Sequence, residues 1–345
     1  MPLLPHLERL AARENLSAAE AEAAMQSILE GRVAPAQIAG FLMALRVKGE
    51  TVDELVGFAR AMRRMATPID LNGSGETLLD TCGTGGDGSD TFNISTVAAF
   101  VAAGAGVRVA KHGNRAVTSP TGCGSVDLLD SLGISIPTSP EDTRRSIREV
   151  GIGFLFAPAV HTAMKHAALV RKELRIRTVF NLLGPLTNPV GATAQLVGAP
   201  SERMAELLAG ALAALGLKRG FVVHGADGLD EITTTGPTLA FEIRDGRVER
   251  RTLEPGDFAV RVTTPEELRG GSKERNHEIA RAVLNGEHGA PRDIVIANAA
   301  AALVAAGKCD TFLEGAAIAA VSIDTRAARG KVEALTQMFA TVRSV

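Results

Sequence analysis

From about residue 75 onward, short runs of β-forming residues alternate with stretches at helical spacing, and this alternation constrains the fold more than any other feature of the chain. The runs are Thr77–Asp80, Val107–Ala110, Gly153–Phe156, Gln195–Gly198 and Phe221–His224. Strands joined by helices need crossover connections, and crossovers lay successive strands parallel. The expected class is therefore α/β with a mostly parallel central sheet. One stretch breaks the rhythm. Between Leu239 and Leu253, Phe241-Glu242-Ile243 and Arg247-Val248-Glu249 flank Asp245-Gly246, which predicts a hairpin added antiparallel at the sheet edge. A long helix is expected at Arg292–Ala306, and another in the alanine-rich stretch from Ala316.

The first 70 residues carry helical signals only. Ser17-Ala18-Ala19-Glu20 and Thr51-Val52-Asp53-Glu54 have capping-box spacing, Pro35 suits a first helical turn, and Gly31, Gly49 and Pro68 supply stops. The expected organisation is a small helical domain over 1–70, with a contribution from about 165–190, and a larger α/β domain over 75–345.

Composition narrows the partners. Thirty-seven basic residues nearly balance thirty-nine acidic ones, and the twelve Phe are accompanied by no Tyr or Trp. The chain has neither the field to hold a polyanion nor the aromatic platforms that stack bases, so no nucleic-acid partner is expected. Cys82, Cys123 and Cys309 stand far apart without metal or disulfide spacing. The N-terminus has no apolar run of the kind that leads a secreted chain, and Pro185, Pro189 and Pro200 interrupt the long uncharged stretch 178–201. A cytoplasmic protein without a membrane span is expected.

Chemistry concentrates in a few places. Asp80-Thr81-Cys82-Gly83-Thr84-Gly85-Gly86-Asp87-Gly88-Ser89 follows the first strand, and Asn93-Ile94-Ser95-Thr96 then opens a helix. Glycines let backbone N–H groups approach an anion, and a helix N-terminus adds unpaired donors and the positive end of a dipole, so the run reads as a phosphate cradle. It is neither a P-loop nor a dinucleotide fingerprint. Lys111-His112-Gly113-Asn114-Arg115-Ala116-Val117-Thr118-Ser119 comes after the second strand, on the side of the sheet where ligands sit. Lys111 and Arg115 can neutralise phosphate, while Asn114 can both donate and accept. Asp230-Glu231, beyond the strand ending at His224, offers hard oxygen ligands suited to Mg²⁺, to which Ser95 could add a hydroxyl. Arg171 has the fork geometry to clamp a carboxylate. Cys82 has no base beside it in the sequence and reads as structural.

In Gly83-Thr84-Gly85-Gly86-Asp87, Asn93-Ile94-Ser95-Thr96, Lys111 to Arg115, Arg177 to Pro189 and Asp230-Glu231, taken in that order, the chain resembles the anthranilate phosphoribosyltransferase family over nearly its whole length. The resemblance implies transfer of a phosphoribosyl group from 5-phosphoribosyl 1-pyrophosphate to anthranilate, the second step of tryptophan synthesis from chorismate. It also implies a helical domain hinged to an α/β domain, a homodimer formed through the helical domains, and two Mg²⁺ per subunit. By the same resemblance, Gly83, Gly86, Asp87, Thr91, Asn93, Ile94, Ser95 and Thr96 hold the pyrophosphate and ribose phosphate. Lys111, His112, Gly113, Asn114, Arg115, Ala116, Val117, Thr118 and Ser119 complete that grip. Ser95, Asp230 and Glu231 hold metal, and Gly83, Asn114, His161 and Arg171 face anthranilate. No residue is implied as nucleophile or acid–base catalyst.

The chain departs from the family in two places. Where the family usually continues S-S-x-S-G-S-A-D, this sequence has Thr118-Ser119-Pro120-Thr121-Gly122-Cys123-Gly124-Ser125-Val126-Asp127, a two-residue insertion. Either Cys123 or Ser125 takes the family's serine position, with Gly124-Ser125-Val126-Asp127 favouring Ser125. His277 stands where relatives often have alanine. A pyrimidine nucleoside phosphorylase would share the architecture but binds inorganic phosphate and has no use for Asp230-Glu231. A non-enzymatic nucleic-acid-binding relative is disfavoured by the balanced charge and the missing Tyr and Trp.

Overall fold

The computed structural model describes residues 3–71, 76–115, 123–137 and 139–340. Four helices open the chain: α1 (Leu4–Ala11), α2 (Ala18–Leu29), α3 (Pro35–Lys48) and α4 (Val52–Met65). Both capping boxes form as the spacing demands. The Ser17 and Thr51 N–H groups each donate to the glutamate three residues on at 2.9 Å, and those glutamates' N–H groups donate back to the hydroxyls at 3.3 Å. Caps of this kind stabilise a helix by about 1 kcal/mol. Glu54 does more than cap: fully buried, it pairs with Lys48 Nζ at 3.0 Å and accepts the Leu16 N–H at 3.0 Å, tying α4 to α3 and to the loop before α2.

The sheet has seven strands: β1 (Leu78–Asp80), β2 (Arg108–Gly113), β3 (Ile152–Phe156), β4 (Ala194–Gly198), β5 (Arg219–Gly225), β6 (Thr238–Arg244) and β7 (Arg247–Leu253). Their order is β3-β2-β1-β4-β5-β6-β7, parallel from β3 to β5, with β6 and β7 antiparallel. The hairpin turns at Asp245 and Gly246, whose φ values of 48° and 79° are both positive, as the tight hairpin turn requires. The remaining helices are α5 (Ile94–Gly104), α6 (Ser125–Ser131), α7 (Pro140–Glu149), α8 (Ala157–Val160), α9 (Lys165–Leu174), α10 (Glu202–Ala214), α11 (Lys273–Leu284), α12 (Ala290–Ala305), α13 (Phe312–Asp324) and α14 (Ala327–Met338).

Helices cover both faces of the sheet. On one, α5 and α12 bury nearly all their residues against Leu79, Val109, Leu196, Phe221 and Val223. Being covered on every side explains why α12 is apolar almost all round. On the other, α10 packs on Val197, Val222, Phe241 and Ile243, and this core runs without a break into α1–α4, α9 and residues 179–186. The chain moves outward from β1 to β2 and β3 on one side, then returns to place β4 on β1's other flank. The strand order therefore reverses at β1 and β4, and the carboxyl ends of strands at such a reversal open a crevice for ligands. Among the described residues, no helix is long and apolar enough to cross a membrane.

Candidate active site

The loop leaving β1 enters that crevice. Gly85, Gly86 and Gly88 take φ values of +62°, +82° and +74°, a region that side-chain-bearing residues rarely adopt. The Thr84 N–H donates to the Gly198 carbonyl at 3.0 Å, and the Gly85 N–H to Asp230 Oδ2 at 2.8 Å. Asp87 accepts the Ser89 hydroxyl, and Thr91 bridges antiparallel to Arg269. At the head of α5, Asn93 spends its side chain on the Cys123 carbonyl (3.1 Å) rather than capping its own helix. Ile94 and Thr96 point into the core, so their contribution to the crevice is backbone.

Two carboxylates are held against this helix start. Glu231 Oε1 accepts the Ser95 N–H at 3.1 Å, a carboxylate at the positive end of the helix dipole. The turn bearing Asp230 and Glu231 is rigid for identifiable reasons. Asn298, buried in α12, pairs with both backbone groups of Ile232, accepting its N–H at 3.0 Å and donating to its carbonyl at 2.9 Å. Asp227 accepts the Thr233 and Thr235 hydroxyls at 2.6 Å each. Gly198, the last residue of β4, is where this turn comes closest: a Cβ there would lie 1.5 Å from the Asp230 carbonyl oxygen.

Burial, then repulsion from Asp87, raises Asp230 above the usual carboxylate range, and burial with Asp230 beside it does the same to Glu231. Lys111 and Arg177 offset part of this. Among the described residues no three His, Cys, Asp or Glu are placed to hold an ion by themselves. The donors gathered here are all hard oxygens, from Asp87, Asp230, Glu231 and the Ser95 hydroxyl. Such a set fits Mg²⁺, which binds through one or two carboxylates and takes its remaining ligands from water and phosphate.

Strand β2 runs to Gly113, three residues beyond the expected Ala110, so Lys111, His112 and Gly113 lie in the strand rather than in the loop after it. Strand alternation then sends consecutive side chains to opposite faces. Lys111 Nζ reaches the Thr81 carbonyl (2.5 Å), the Thr81 hydroxyl (3.2 Å) and the Ser95 hydroxyl (3.2 Å). His112 turns the other way, its Nδ1 3.0 Å from the Gly184 carbonyl and its ring edge-on to His161, with centroids 5.2 Å apart. Both imidazoles leave a buried Nε2 without a partner among the described residues. Burial, then the neighbouring His112, pushes His161 down to about 3, so it is neutral. Asp80 and Asn188 lock this corner: buried Asp80 accepts the His112 N–H at 3.1 Å and Asn188 Nδ2 at 2.8 Å.

Asn114 and Arg115 follow the strand. Asn114 Oδ1 accepts the Arg115 N–H at 2.8 Å, and the Arg115 guanidinium is paired with Asp127 (3.0 Å) and Asp130 (2.8 Å) of α6. Ala116, Val117, Thr118 and Ser119 lie outside the described residues. Of the two candidates for the family's serine, the Ser125 hydroxyl donates to the Asn114 carbonyl at 3.2 Å, while Cys123 Sγ faces Asn93 Oδ1 at 3.4 Å. Cys82 is buried and its thiol is pushed far up by burial, as suits a structural cysteine. Arg171, on α9, stands 5.1 Å over the Phe180 ring, and burial lowers its pKa. Among the described residues no hydrogen bond joins Arg171 or Gly83 to His161 or Asn114. His277 places Nδ1 3.2 Å from the Ser131 hydroxyl, joining α11 to α6.

Sequence reading gave no role to three residues that set this geometry. Asn298 was signalled by a lone amide in the apolar run Ile294 to Val304. Arg177 opens one of the stretches that match the family but had no role of its own, and Gly198 carries no local signal.

Residues 4–66 match the family model described as the glycosyl transferase family helical bundle domain, and residues 75–329 match the glycosyl transferase family a/b domain. Fold and site thus define a glycosyltransferase. An anthranilate phosphoribosyltransferase of Solibacter usitatus is 70% identical over 341 residues, spanning 99% of this chain and all of that protein. The crystal structure of anthranilate phosphoribosyltransferase from Thermus thermophilus superposes with a TM-score of 0.90 at 41% identity, over 97% of this chain and 99% of that one. The Saccharomyces cerevisiae enzyme in complex with PRPP and Mg superposes at 0.89 with 29% identity, over 98% of both chains. The chain belongs to the anthranilate phosphoribosyltransferase family, and its activity is phosphoribosyl transfer to anthranilate.

Proposed function

We propose that the donor, 5-phosphoribosyl 1-pyrophosphate, lies across the glycine-rich loop and the head of α5, with Mg²⁺ held by Asp230, Glu231 and Ser95. The observation that carries this reading is the pinning of two half-buried carboxylates by backbone donors, Glu231 by the Ser95 N–H at the head of α5 and Asp230 by the Gly85 N–H of the glycine-rich loop. Half-buried carboxylates that repel one another are costly in the free protein, and a cation shared with a phosphorylated substrate relieves that cost. By this reading Asp230, Glu231 and the Ser95 hydroxyl would serve two ions, with water and substrate oxygens as the remaining ligands.

Bound there, Mg²⁺ supplies positive charge for the departing diphosphate. The protein's own part is positioning and electrostatics. The bond from the anomeric carbon to the diphosphate oxygen breaks, its electron pair leaving with the diphosphate, and the ribose carbon gains oxocarbenium character. The amine of anthranilate forms the new C–N bond and releases one proton to water. Gly83, Gly86, Asp87, Thr91 and Asn93 to Thr96 supply the cradle, and Lys111 fixes the Ser95 hydroxyl and the Thr81 carbonyl that border it. An aromatic amine is already a free nucleophile, so orientation matters more than general base catalysis. Arg171 clamps the anthranilate carboxylate, with Gly83, Asn114 and neutral His161 lining the same site.

Leu4, Val47, Leu169 and Ile176 are exposed apolar residues on or just after α1, α3 and α9, and α1 and α9 each pack on α3. We assign this face to a homodimer through the helical domains, in a cytoplasmic enzyme of tryptophan synthesis. The acceptor site is tested by Arg171→Ala. The Michaelis constant for anthranilate should rise at least tenfold, as expected when a charged hydrogen-bonded pair worth about 1.5–3 kcal/mol is lost, with that for the donor little changed. Equal rises for both substrates would remove the clamp.

A further inference from the structure

Among the described residues, Lys111, Arg115 and Arg177 are cations of the segments read as the donor site, and their N–H groups are committed very differently. Lys111 has three donors and three acceptors within 3.2 Å, the Thr81 carbonyl, the Thr81 hydroxyl and the Ser95 hydroxyl. Arg115 is engaged by Asp127 and Asp130. Arg177 has five donors and, among the described residues, makes one long hydrogen bond, Nη2 to the Thr84 carbonyl at 3.4 Å, and no ion pair within 4.0 Å.

The glycine-rich loop is shaped around this guanidinium. A Cβ on Gly86 would lie 1.3 Å from Arg177 Nη1 and 2.4 Å from its Cζ, so only glycine lets the arginine sit there. The backbone that carries Arg177 is fixed independently of the loop. The Thr178 N–H donates to Asn181 Oδ1 at 3.0 Å, and Val179 and Phe180 are buried in the helical core. Asp230 and Asp87 both act electrostatically on the guanidinium without pairing with it. A half-buried cation with open donors, facing carboxylates that themselves call for a metal, matches an anion lying between the two.

We infer that Arg177 contacts the diphosphate of the donor, reaching across the glycine-rich loop from the helical side of the crevice. This rests on the donor reading above. As the anomeric C–O bond breaks and the electron pair passes to the diphosphate, the added negative charge falls on oxygens that the guanidinium meets with two parallel N–H bonds. The new C–N bond and the proton released from the amine lie away from Arg177. Its influence therefore belongs to donor and product, and not to anthranilate.

The test uses the full-length protein with Mg²⁺ and the variants Arg177→Gln and Arg177→Lys. Melting temperature, the Michaelis constants of both substrates, and inhibition by inorganic pyrophosphate are measured on each. Arg177→Gln should melt as the parent does, with the donor's Michaelis constant and the pyrophosphate inhibition constant both raised about ten- to a hundredfold and that of anthranilate within about twofold. Arg177→Lys, which keeps charge without the fork, should recover part of the loss. Unchanged pyrophosphate inhibition in both variants, or equal rises for both substrates, would overturn the inference. A parent protein whose turnover ignores the donor would instead bring down the donor reading, and this inference with it.

Discussion

Replacing Gly198 by alanine should disable the enzyme while leaving its fold in place. The backbone of Gly198 is not in the left-handed region, so the obstacle is space alone. A Cβ there would stand 1.5 Å from the Asp230 carbonyl oxygen and 2.5 Å from its carbon, whereas real Cβ atoms essentially never approach closer than 3.0 Å. The Asp230 peptide must therefore retreat by about 1.5 Å, or β4 must yield by as much. Asn298 holds nearby Ile232 by both backbone groups, so the turn cannot simply swing away. The displacement would break the 2.8 Å bond from the Gly85 N–H to Asp230 and stretch the 3.1 Å bond from the Ser95 N–H to Glu231. Misplacement by about 1 Å can cost a hundredfold in rate, so kcat/KM should fall about a hundredfold, or about 2.7 kcal/mol of transition-state stabilisation. Overpacking of this kind costs about 1–3 kcal/mol of stability, which a protein of this size survives. Loss of anthranilate fluorescence during a Mg²⁺ titration reads both kcat/KM and the half-saturating metal concentration, and the latter should rise. A Gly198→Ala enzyme within about threefold of the parent in both would refute the argument that β4 sets the carboxylate position.

Two further outcomes are expected. His161 is held neutral in the fold, with a pKa of about 3, below the unfolded value of about 6.5, so the unfolded chain binds the extra proton first as pH falls. Its stabilising contribution is complete above about pH 6.5 and is lost toward pH 3, at up to about 1.4 kcal/mol per pH unit. Thermal melts of His161→Phe should accordingly show a shallower decline between about pH 6.5 and about pH 4.5 than the parent, and parallel curves would contradict this. Val47 is 67% exposed on the face assigned to the dimer. Val47→Asp should shift sedimentation toward the monomer, and an unchanged sedimentation profile would move the interface elsewhere.

The strands and their parallel arrangement were legible because crossover folds write themselves as alternating runs, and the hairpin because Asp245-Gly246 can take the positive φ values its turn requires. The capped helices were legible for the same local reason: Ser17 and Thr51 meet glutamates three residues away. What stayed hidden depends on distance in the chain. Asn298 shows itself locally only as a lone amide in an apolar run, and nothing in either neighbourhood points to its partner Ile232, 66 residues away. The approach of Arg177 to Gly86 and of Asp230 to Gly198 appears only once the strand order is known, and that order follows from how helices cover the sheet. At β2 the obstacle was periodicity. Read as one basic loop, Lys111 and His112 look like partners, but three more residues of strand place them on opposite faces.

The claim on which the rest depends is that Asp230 and Glu231 carry the metal. Titrating Mg²⁺ into the parent and into the double variant Asp230→Asn with Glu231→Gln, with anthranilate fluorescence as the readout, tests it most directly. The parent should show saturable, metal-dependent loss of signal in the presence of the donor. The variant should stay folded while losing that dependence and at least about a thousandfold in turnover, the cost of two charge-stabilising groups at about a hundredfold or more each acting non-additively. A variant that still responds to Mg²⁺ at the parent's concentration and rate would contradict the account.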